Sequence, residues 1–171
     1  MPNYISKMFA GFLIIILVFL IPIKSVFEYI DKRVYRHVDD ITFNFQRDVR
    51  RNGFVSKEMY DEFLKQLGLT MNVYEIHMQH IKYTYYPLKP TDPDYSVDKP
   101  YKEVAFKSDE KDILNSIYKL KKDYILENGD DFYISVKNKT TTRAMMLEYI
   151  ITHGGTNIIE ARYGGAVDGG N

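Results

Sequence analysis

The stretch "AGFLIIILVFLIPIKSVFEYIDKRV" (Ala10 to Val34) passes from an apolar run into a charged segment without a helix-ending signal. Residues 8–23 carry no charge and would span roughly 24 Å as a helix. A bilayer core is about 30 Å thick, but neighbouring apolar residues lengthen the run, and Lys7 and Lys24 can extend their ammonium groups to the headgroups. We therefore expect residues 1–25 to form an N-terminal membrane anchor.

A cleaved secretion signal is the main alternative to a retained anchor. Such a signal ends in a small-residue cleavage site directly after its apolar core, whereas Ile21 and Ile23 occupy those positions here. Pro22 lies between them, and a proline in a membrane helix produces a kink rather than a break. We expect one helix from about residue 5 to residue 52. The other arrangement is an anchor, a hinge at residues 22–25 and a separate amphipathic helix.

Beyond Lys24 the apolar residues follow the period of an α-helix. Their spacings of three and four residues place them on one narrow stripe, and charged residues fill most of the remaining positions. Asn52-Gly53 is a suitable C-terminal end. The whole helix would have about 47 residues and extend roughly 70 Å, with its second half packed on a small domain. The stripe consists of Phe27, Ile30, Val34, Val38, Ile41, Phe45 and Val49.

The remaining chain alternates short helical and strand patterns. We expect an α+β fold, in which an antiparallel sheet of three or four strands and small helices pack on the long helix. The soluble domain is assigned to residues 26–166, including the amphipathic half of that helix, and residues 167–171 are predicted to be a flexible tail. The predicted elements are a helix at Lys57–Leu67 capped by Ser56, a strand at Asn72–Tyr86, a proline-rich loop at Pro87–Pro100, a helix from Ser108, a strand after the Asn128-Gly129-Asp130 turn, a helix at 140–155 and a strand at 157–165.

The composition argues against several classes of function. Lys and Arg together number 23, as do Asp and Glu, so no net positive field favours nucleic acid. Cysteine is absent, which removes disulfides, thiolate metal sites and cysteine nucleophiles. We expect no nucleic-acid partner.

The candidate catalytic and metal-binding residues do not form a recognisable site. His77 and His80 are three residues apart on one predicted strand, so they point to opposite faces and cannot share a metal ion. Asp39-Asp40 and Asp130-Asp131 are interpreted as solvated charge, the first pair on the polar face of the helix and the second in a hairpin turn. We predict no catalytic, cofactor-binding or metal-binding residues, no small-molecule substrate and no enzymatic activity. An enzyme with a site invisible in one sequence is the alternative, and a deep polar pocket with converging titratable groups would reveal it.

Four segments carry a family resemblance: "FQRDVRRNGFVSKEMYDEFLKQL" (45–67), "YEIHMQH" (74–80), "ENGDDFYISVKNKTTT" (127–142) and "EARYGGAV" (160–167). In pattern and order they resemble small membrane-anchored proteins encoded with Tad-type (Flp-like) pilus genes of Firmicutes, relatives of TadE-like minor pilins and pseudopilins. The resemblance covers most of residues 8–166. It implies a pilin-like fold, a surface-facing domain in a Gram-positive cell, and no cofactor. It also implies assembly through the N-terminal helix with other pilin-like subunits or secretion-system membrane proteins.

This resemblance makes the N-terminal helix the assembly surface. Pilin-like precursors are cut after a small residue, and Gly11-Phe12 offers such a leader cleavage site. Such precursors also carry a glutamate five positions in, where this chain has Ile16. The difference argues against a repeating major subunit and fits a tip or priming subunit, or an uncleaved anchor. The residues assigned to the membrane and assembly helix are Phe12, Ile16, Phe19, Pro22, Phe27, Ile30, Val34, Val38, Ile41 and Phe45.

Charge beside the apolar run gives conflicting evidence on sidedness. Basic residues are more numerous after the run than before it, which by the positive-inside rule would leave the domain in the cytoplasm. Glu28 and Asp31 are interleaved with them and weaken that argument. We expect a single-pass cell-membrane protein with an extracytoplasmic domain, at the cell surface or in a pilus. The alternative function is a membrane-anchored binding or sensing domain unrelated to filaments, with the Pro87–Pro100 loop facing its ligand.

Overall fold

The computed structural model describes residues 2–152 and 160–169 of the chain. Its longest element is helix α1, Pro2–Asn52, which continues through Pro22. At 1.5 Å per residue these 51 residues extend about 76 Å. Gly53 ends the helix with a φ of 73°, and its N–H donates to the Val49 carbonyl at 2.9 Å. The predicted continuous helix is confirmed, since residues 22–25 are helical and do not form a hinge.

A small α+β domain follows α1, as predicted. Its main sheet is antiparallel with strand order β3-β2-β5-β6, and β1 pairs with β4 in a separate two-stranded sheet. Ser56 caps α2 by accepting a hydrogen bond from the Met59 N–H at 3.2 Å, as its position in the sequence predicted. The elements are β1 (Phe54–Val55), α2 (Lys57–Gly68), β2 (Tyr74–Pro87), β3 (Tyr101–Asp109), α3 (Glu110–Leu114) continued by a π-helical turn (Asn115–Lys119), β4 (Tyr124–Ile125), β5 (Asp131–Asn138), α4 (Arg143–Thr152) and β6 (Glu160–Ala166).

The core forms where the second half of α1 lies on one face of the main sheet. Alternate residues of β5 point toward α1 and are fully buried, because successive side chains of a strand point to opposite faces. The Phe45 ring stacks on Phe63 of α2 with ring centres 4.4 Å apart, and it meets the edge of Phe132 of β5 at 6.4 Å. Phe45 therefore joins α1, α2 and the sheet. The buried positions of the predicted stripe are Val38, Ile41, Phe45 and Val49.

The stripe is buried only where the domain covers it. Val34 is half-buried and packs against the core, Phe27 is half-buried, and Ile30 is exposed. The sheet covers α1 from about Val34 onward. The first residues of the apolar stripe, Phe27 and Ile30, therefore lie outside the core. At Asp31, α1 receives a hydrogen bond from the hydroxyl of Thr142, directly before α4.

The strand β3 was not predicted. Its sequence, "YKEVAFKSD", alternates poorly, and only Val104 and Ser108 are half-buried. Among the strands of the described residues it pairs only with β2, and it forms one edge of the sheet, so it needs no buried apolar face. Asp109 ends it and α3 begins at Glu110, two residues after the predicted start at Ser108.

Residues 167–169 have defined contacts, although they belong to the segment predicted to be a flexible tail, residues 167–171. Val167 is buried, and it exchanges backbone hydrogen bonds with the turn at Gly129 and Asp130. The Asp168 carboxylate meets the Arg50 guanidinium of α1 at 3.1 Å. Residues 167–169 are thus held in place by long-range contacts that have no local sequence signal. The predictions for residues 153–159, including the Gly154-Gly155 helix end, and for residues 170 and 171 lie outside the described residues.

Candidate functional site

The first half of α1 extends away from the domain and is almost entirely apolar. An 18-residue window of this helix reaches a mean hydropathy of 2.5, and none of it is buried within the chain. The rings of Phe12 and Phe19 are 61% and 64% exposed. Contiguous apolar surface on this scale marks a membrane or protein interaction site. The helix is long and apolar enough to span a membrane once, which makes it the candidate functional site.

The structure divides eight of the ten predicted assembly residues into two groups, and the other two, Phe27 and Val34, are half-buried. Phe12, Ile16, Phe19, Pro22 and Ile30 are exposed, and their side chains can contact lipid or another helix. Val38, Ile41 and Phe45 are buried in the core of their own domain. A neighbouring subunit cannot contact that second group in the folded domain. Any assembly surface on α1 therefore lies before residue 34 or on the outer side of its second half.

Gly11 and Phe12, the predicted leader cleavage site, lie in the free half of α1. A Cβ atom added to Gly11 would meet nothing within 4 Å, so no packing within the chain requires glycine there. Small residues in membrane helices allow the backbone of another helix to approach closely. The local environment is therefore open to either a peptidase or a neighbouring helix.

A broad groove of about 810 Å³ lies on the face of the main sheet that is turned away from α1. Alternate residues of β2 and β5 and the first turn of α3 line it. His77 lies between two carboxylates, with Nε2 3.5 Å from Glu75 and Nδ1 3.7 Å from Glu110. Burial raises the pKa of Glu110, whereas a hydrogen bond from Lys139 lowers the pKa of Glu75. The sequence predicted that Glu75 and His77 share this face of the strand. It did not predict that Glu110 of α3 lies beside them.

The groove lacks a paired nucleophile among the residues the structure describes. Ser135 donates to Glu160 at 3.4 Å rather than to His77, and Glu75 is engaged by Lys139 at 3.1 Å. Across residues 2–152 and 160–169, no three His, Cys, Asp or Glu residues are placed to hold a metal ion. His77 and His80 lie on opposite faces of β2, as predicted from their spacing.

A buried polar network on the other face corrects one prediction. Asp130 is 3% exposed and His80 is 4% exposed, so Asp130 is not the solvated charge expected from the sequence. The Asp130 carboxylate lies 2.8 Å from His80 Nε2, and His80 Nδ1 lies 2.8 Å from the Tyr124 hydroxyl. Asp130 also accepts the Glu127 N–H at 2.9 Å. Burial raises the pKa of Tyr124.

This network joins the two sheets. Tyr124 belongs to β4, His80 to β2, and Asp130 directly precedes β5. The turn at Asn128-Gly129 was predicted to be part of a hairpin, but β4 pairs with β1 while β5 pairs with β2 and β6. The Asp130 carboxylate accepts from His80 Nε2–H, and the Tyr124 hydroxyl is the hydrogen-bond partner of Nδ1. The network positions the turn and is a structural element.

The hairpin of β2 and β3 extends beyond the rest of the sheet. Residues 82–87 pair with residues 101–106 but not with β5, so this part is a two-stranded arm. The rings of Tyr85 and Tyr101 meet edge to face at 5.2 Å. The loop at residues 88–100 lies at its tip, where a loop was predicted. Because β2 runs from the end near α4 to the end near Arg50, the arm points away from the free half of α1.

Comparison of the chain with protein-family models, curated proteins and solved structures finds no match.

Proposed function

We propose that this chain is a membrane-anchored, pilin-like structural or accessory subunit of a Tad-type pilus or a related secretion system. The observation that carries the proposal is the single helix α1, which is apolar and uncovered over its first half and forms the domain core over its second. A subunit of this shape can be held in the membrane and also be transferred into an assembly of parallel helices. Under this proposal the domain lies on the extracytoplasmic side of the membrane.

The physical argument concerns the surroundings of the free half of α1. Burying a large apolar side chain contributes roughly 1.5–3 kcal/mol relative to exposure in water. The many apolar side chains on the free half of α1 are therefore expected to be covered by lipid or by neighbouring helices. Within lipid, helices associate through close packing rather than through a hydrophobic driving force. Ala10-Gly11 allows such close approach on one turn of the helix. The same surface can therefore exchange lipid for neighbouring helices at low cost.

The apolar run from Met8 to Ile23 contains no acidic residue, and this bears on whether the chain is a major or a minor subunit. A carboxylate at mid-membrane costs several kcal/mol unless a neighbour compensates for it. This chain avoids that cost, and residues 8–23 have no carboxylate that could pair with a neighbour. It is better suited to a minor, tip or permanently anchored position than to the repeating body of a filament.

Cysteine cross-linking tests the assembly directly, because the chain has no cysteine of its own. Ile16→Cys places one thiol on the exposed half of α1, and Val38→Cys places one in the domain core. In native membranes, each would be oxidised with copper phenanthroline, which enters the bilayer and joins nearby thiols as disulfides, together with single-cysteine versions of pilin-like proteins from the same cell. The proposal predicts specific adducts for Ile16→Cys and none for Val38→Cys. Adducts absent at Ile16 and at neighbouring exposed positions would contradict it.

A membrane-anchored binding domain is the second candidate function, and the projecting hairpin arm favours it. The arm places Tyr85, Tyr101 and the loop at residues 88–100 at the end of the domain farthest from the membrane helix. Replacing residues 88–100 with a short turn should abolish capture of a surface ligand while the near-ultraviolet circular dichroism of the domain is preserved. The pilin-like function would be favoured instead if Ile16→Cys still formed its specific adducts after residues 88–100 were replaced.

A further inference from the structure

The helix α4 is apolar on both sides, which is unusual for a surface helix of a small domain. Ala144 and Met145 are buried on its inner side. On its outer side, large apolar residues are mostly exposed: Met146 is 57%, Ile150 is 68% and Ile151 is 47% exposed. A surface helix that contacts water normally has a polar outer face. The outer face of α4 therefore requires a non-aqueous neighbour.

The fold places α4 at the end of the domain from which the free half of α1 emerges. The strand β6 lies along α1, with Tyr163 against Phe43 and Ala166 against Arg50. Its first residue, Glu160, is thus nearer the start of α1, and it pairs with Lys137 at the end of β5. The chain leaves β5 at this end and enters α4.

A direct contact shows at which residue of α1 the helix α4 begins, and so its position along the α1 axis. Thr142, next to the first residue of α4, donates from its hydroxyl to the Asp31 carboxylate, and α4 packs against α1. Asp31 is seven residues beyond Lys24, which is about 10 Å along the helix axis. The headgroup layer on each side of a bilayer is roughly 5–8 Å thick. The start of α4 is therefore level with, or adjacent to, the headgroups of a bilayer spanned by the apolar run.

The surface of α1 at the same height combines exposed apolar side chains with two exposed basic ones, Lys32 and Arg33. Phe27, Asp31 and Val34 share the less exposed face, whereas Val26, Tyr29 and Ile30 are exposed. A tyrosine in this position is typical of the membrane–water boundary. The exposed face of α1 and the outer face of α4 thus both present apolar side chains near the place where the domain meets the anchor, and Arg143 adds an exposed cation for acidic headgroups.

We propose that α4 is a second membrane-contact element, whose outer residues Met146, Ile150 and Ile151 insert at the boundary between headgroups and acyl chains and so fix the orientation of the domain on the bilayer. This inference rests on the proposed membrane anchor, because only an anchored α1 brings α4 to that boundary. A single helix leaves the domain free to rotate about the membrane normal and to tilt. Two contacts restrict the tilt and hold the hairpin arm away from the membrane.

The test uses the full-length chain in vesicles of phosphatidylethanolamine and phosphatidylglycerol. One environment-sensitive fluorophore is attached to Ile150→Cys, to Ile16→Cys as the anchor control, or to Val97→Cys in the exposed distal loop. Lipids with a quencher at a shallow position report contact with the bilayer surface. We expect blue-shifted emission and several-fold stronger shallow quenching at Ile150→Cys than at Val97→Cys, and quenching by deeply placed quenchers at Ile16→Cys.

The three labelled sites distinguish the ways in which the inference can fail. Quenching at Ile16→Cys without quenching at Ile150→Cys would overturn the role of α4 and leave the anchor intact. The absence of quenching at Ile16→Cys would overturn the proposed anchor itself. Blue-shifted but unquenched emission at Ile150→Cys would mean that protein, not lipid, covers α4, and would also overturn the inference. As a second variant, Met146→Lys should reduce quenching of a label at Ile151→Cys without releasing the chain from the vesicles.

Discussion

Single buried residues determine how the small sheet of β1 and β4 is attached to the rest of the domain. Asp130, His80 and Tyr124 come from three separate segments and are joined by two hydrogen bonds of 2.8 Å. A buried polar group left without its partner costs more than the hydrogen bond contributes, because its desolvation is no longer compensated. The network therefore specifies one arrangement of the turn at residues 127–131.

Removing the carboxylate should destabilise the domain. We expect Asp130→Ala to lower the free energy of unfolding by about 1–3 kcal/mol, because His80 and the Glu127 N–H lose their acceptor. Tyr124→Phe is the control and should cost about 0.5–1.5 kcal/mol, since it removes one hydroxyl at the edge of the network. Urea unfolding of the full chain in detergent micelles, followed by tyrosine circular dichroism, measures both. Equal stability of Asp130→Ala and the unmodified chain would contradict this role.

The two carboxylates beside His77, Glu75 and Glu110, should make stability depend on pH in opposite directions. Burial raises the pKa of Glu110, so the folded state retains that proton more strongly, and stability falls as the pH rises above about 4.3, the ordinary glutamate pKa. A hydrogen bond from Lys139 lowers the pKa of Glu75, so its stabilising contribution is present above the ordinary pKa and is lost as the pH falls through the folded pKa.

Two matched substitutions check this expectation. At neutral pH, Glu110→Gln should raise the urea midpoint, and Glu75→Gln should lower it. Both differences should diminish when the titration is repeated well below the ordinary glutamate pKa. If both variants shifted the urea midpoint in the same direction, the expectation would be wrong. Burial of Glu110 and the Lys139 contact of Glu75 would then not act on stability in opposite directions.

At the scale of elements, α1 has two different surroundings along one continuous helix. The apolar stripe predicted for its second half is buried against the sheet. The spacing of three and four residues is a local pattern, so the sequence alone could predict it. Ile30 follows the same period but lies beyond the sheet, so the period alone could not locate the edge of the domain. The position of α4 beside Asp31 depends on how β5 and β6 are ordered, which no local pattern specifies.

Two phenylalanines on α1 should therefore differ strongly in their response to the same substitution. Phe45→Ala should reduce the free energy of unfolding of the domain by about 3–5 kcal/mol, because it removes a ring that packs on both Phe63 and Phe132. Phe12→Ala should change it by less than about 0.5 kcal/mol, because that ring is exposed and distant from the domain. Urea unfolding in micelles measures both. A comparable loss in Phe12→Ala would mean that the free half of α1 packs on the domain.

For the whole molecule, the sequence predicted the architecture better than the contacts between distant segments. The α+β class, the continuous helix, the Ser56 cap and the loop at residues 88–100 follow from periodicity, capping and proline content, which act over a few residues. The edge strand β3 escaped prediction because it has no buried face. The Asp130–His80 contact links residues fifty positions apart, and Val167 is held by the turn at Gly129, so neither could be predicted locally.

The central claim is that one helix lies in the membrane over its first half and in the domain over its second. The most direct measurement labels three variants, Phe12→Cys, Phe19→Cys and Phe43→Cys, with a membrane-impermeant maleimide, in native membranes opened so that both sides are accessible. Phe43 is the matched control, an exposed phenylalanine on the domain half of α1. We predict that Phe43→Cys reacts at once, whereas Phe12→Cys and Phe19→Cys react only after detergent is added. Equally rapid labelling at all three positions without detergent would contradict the account.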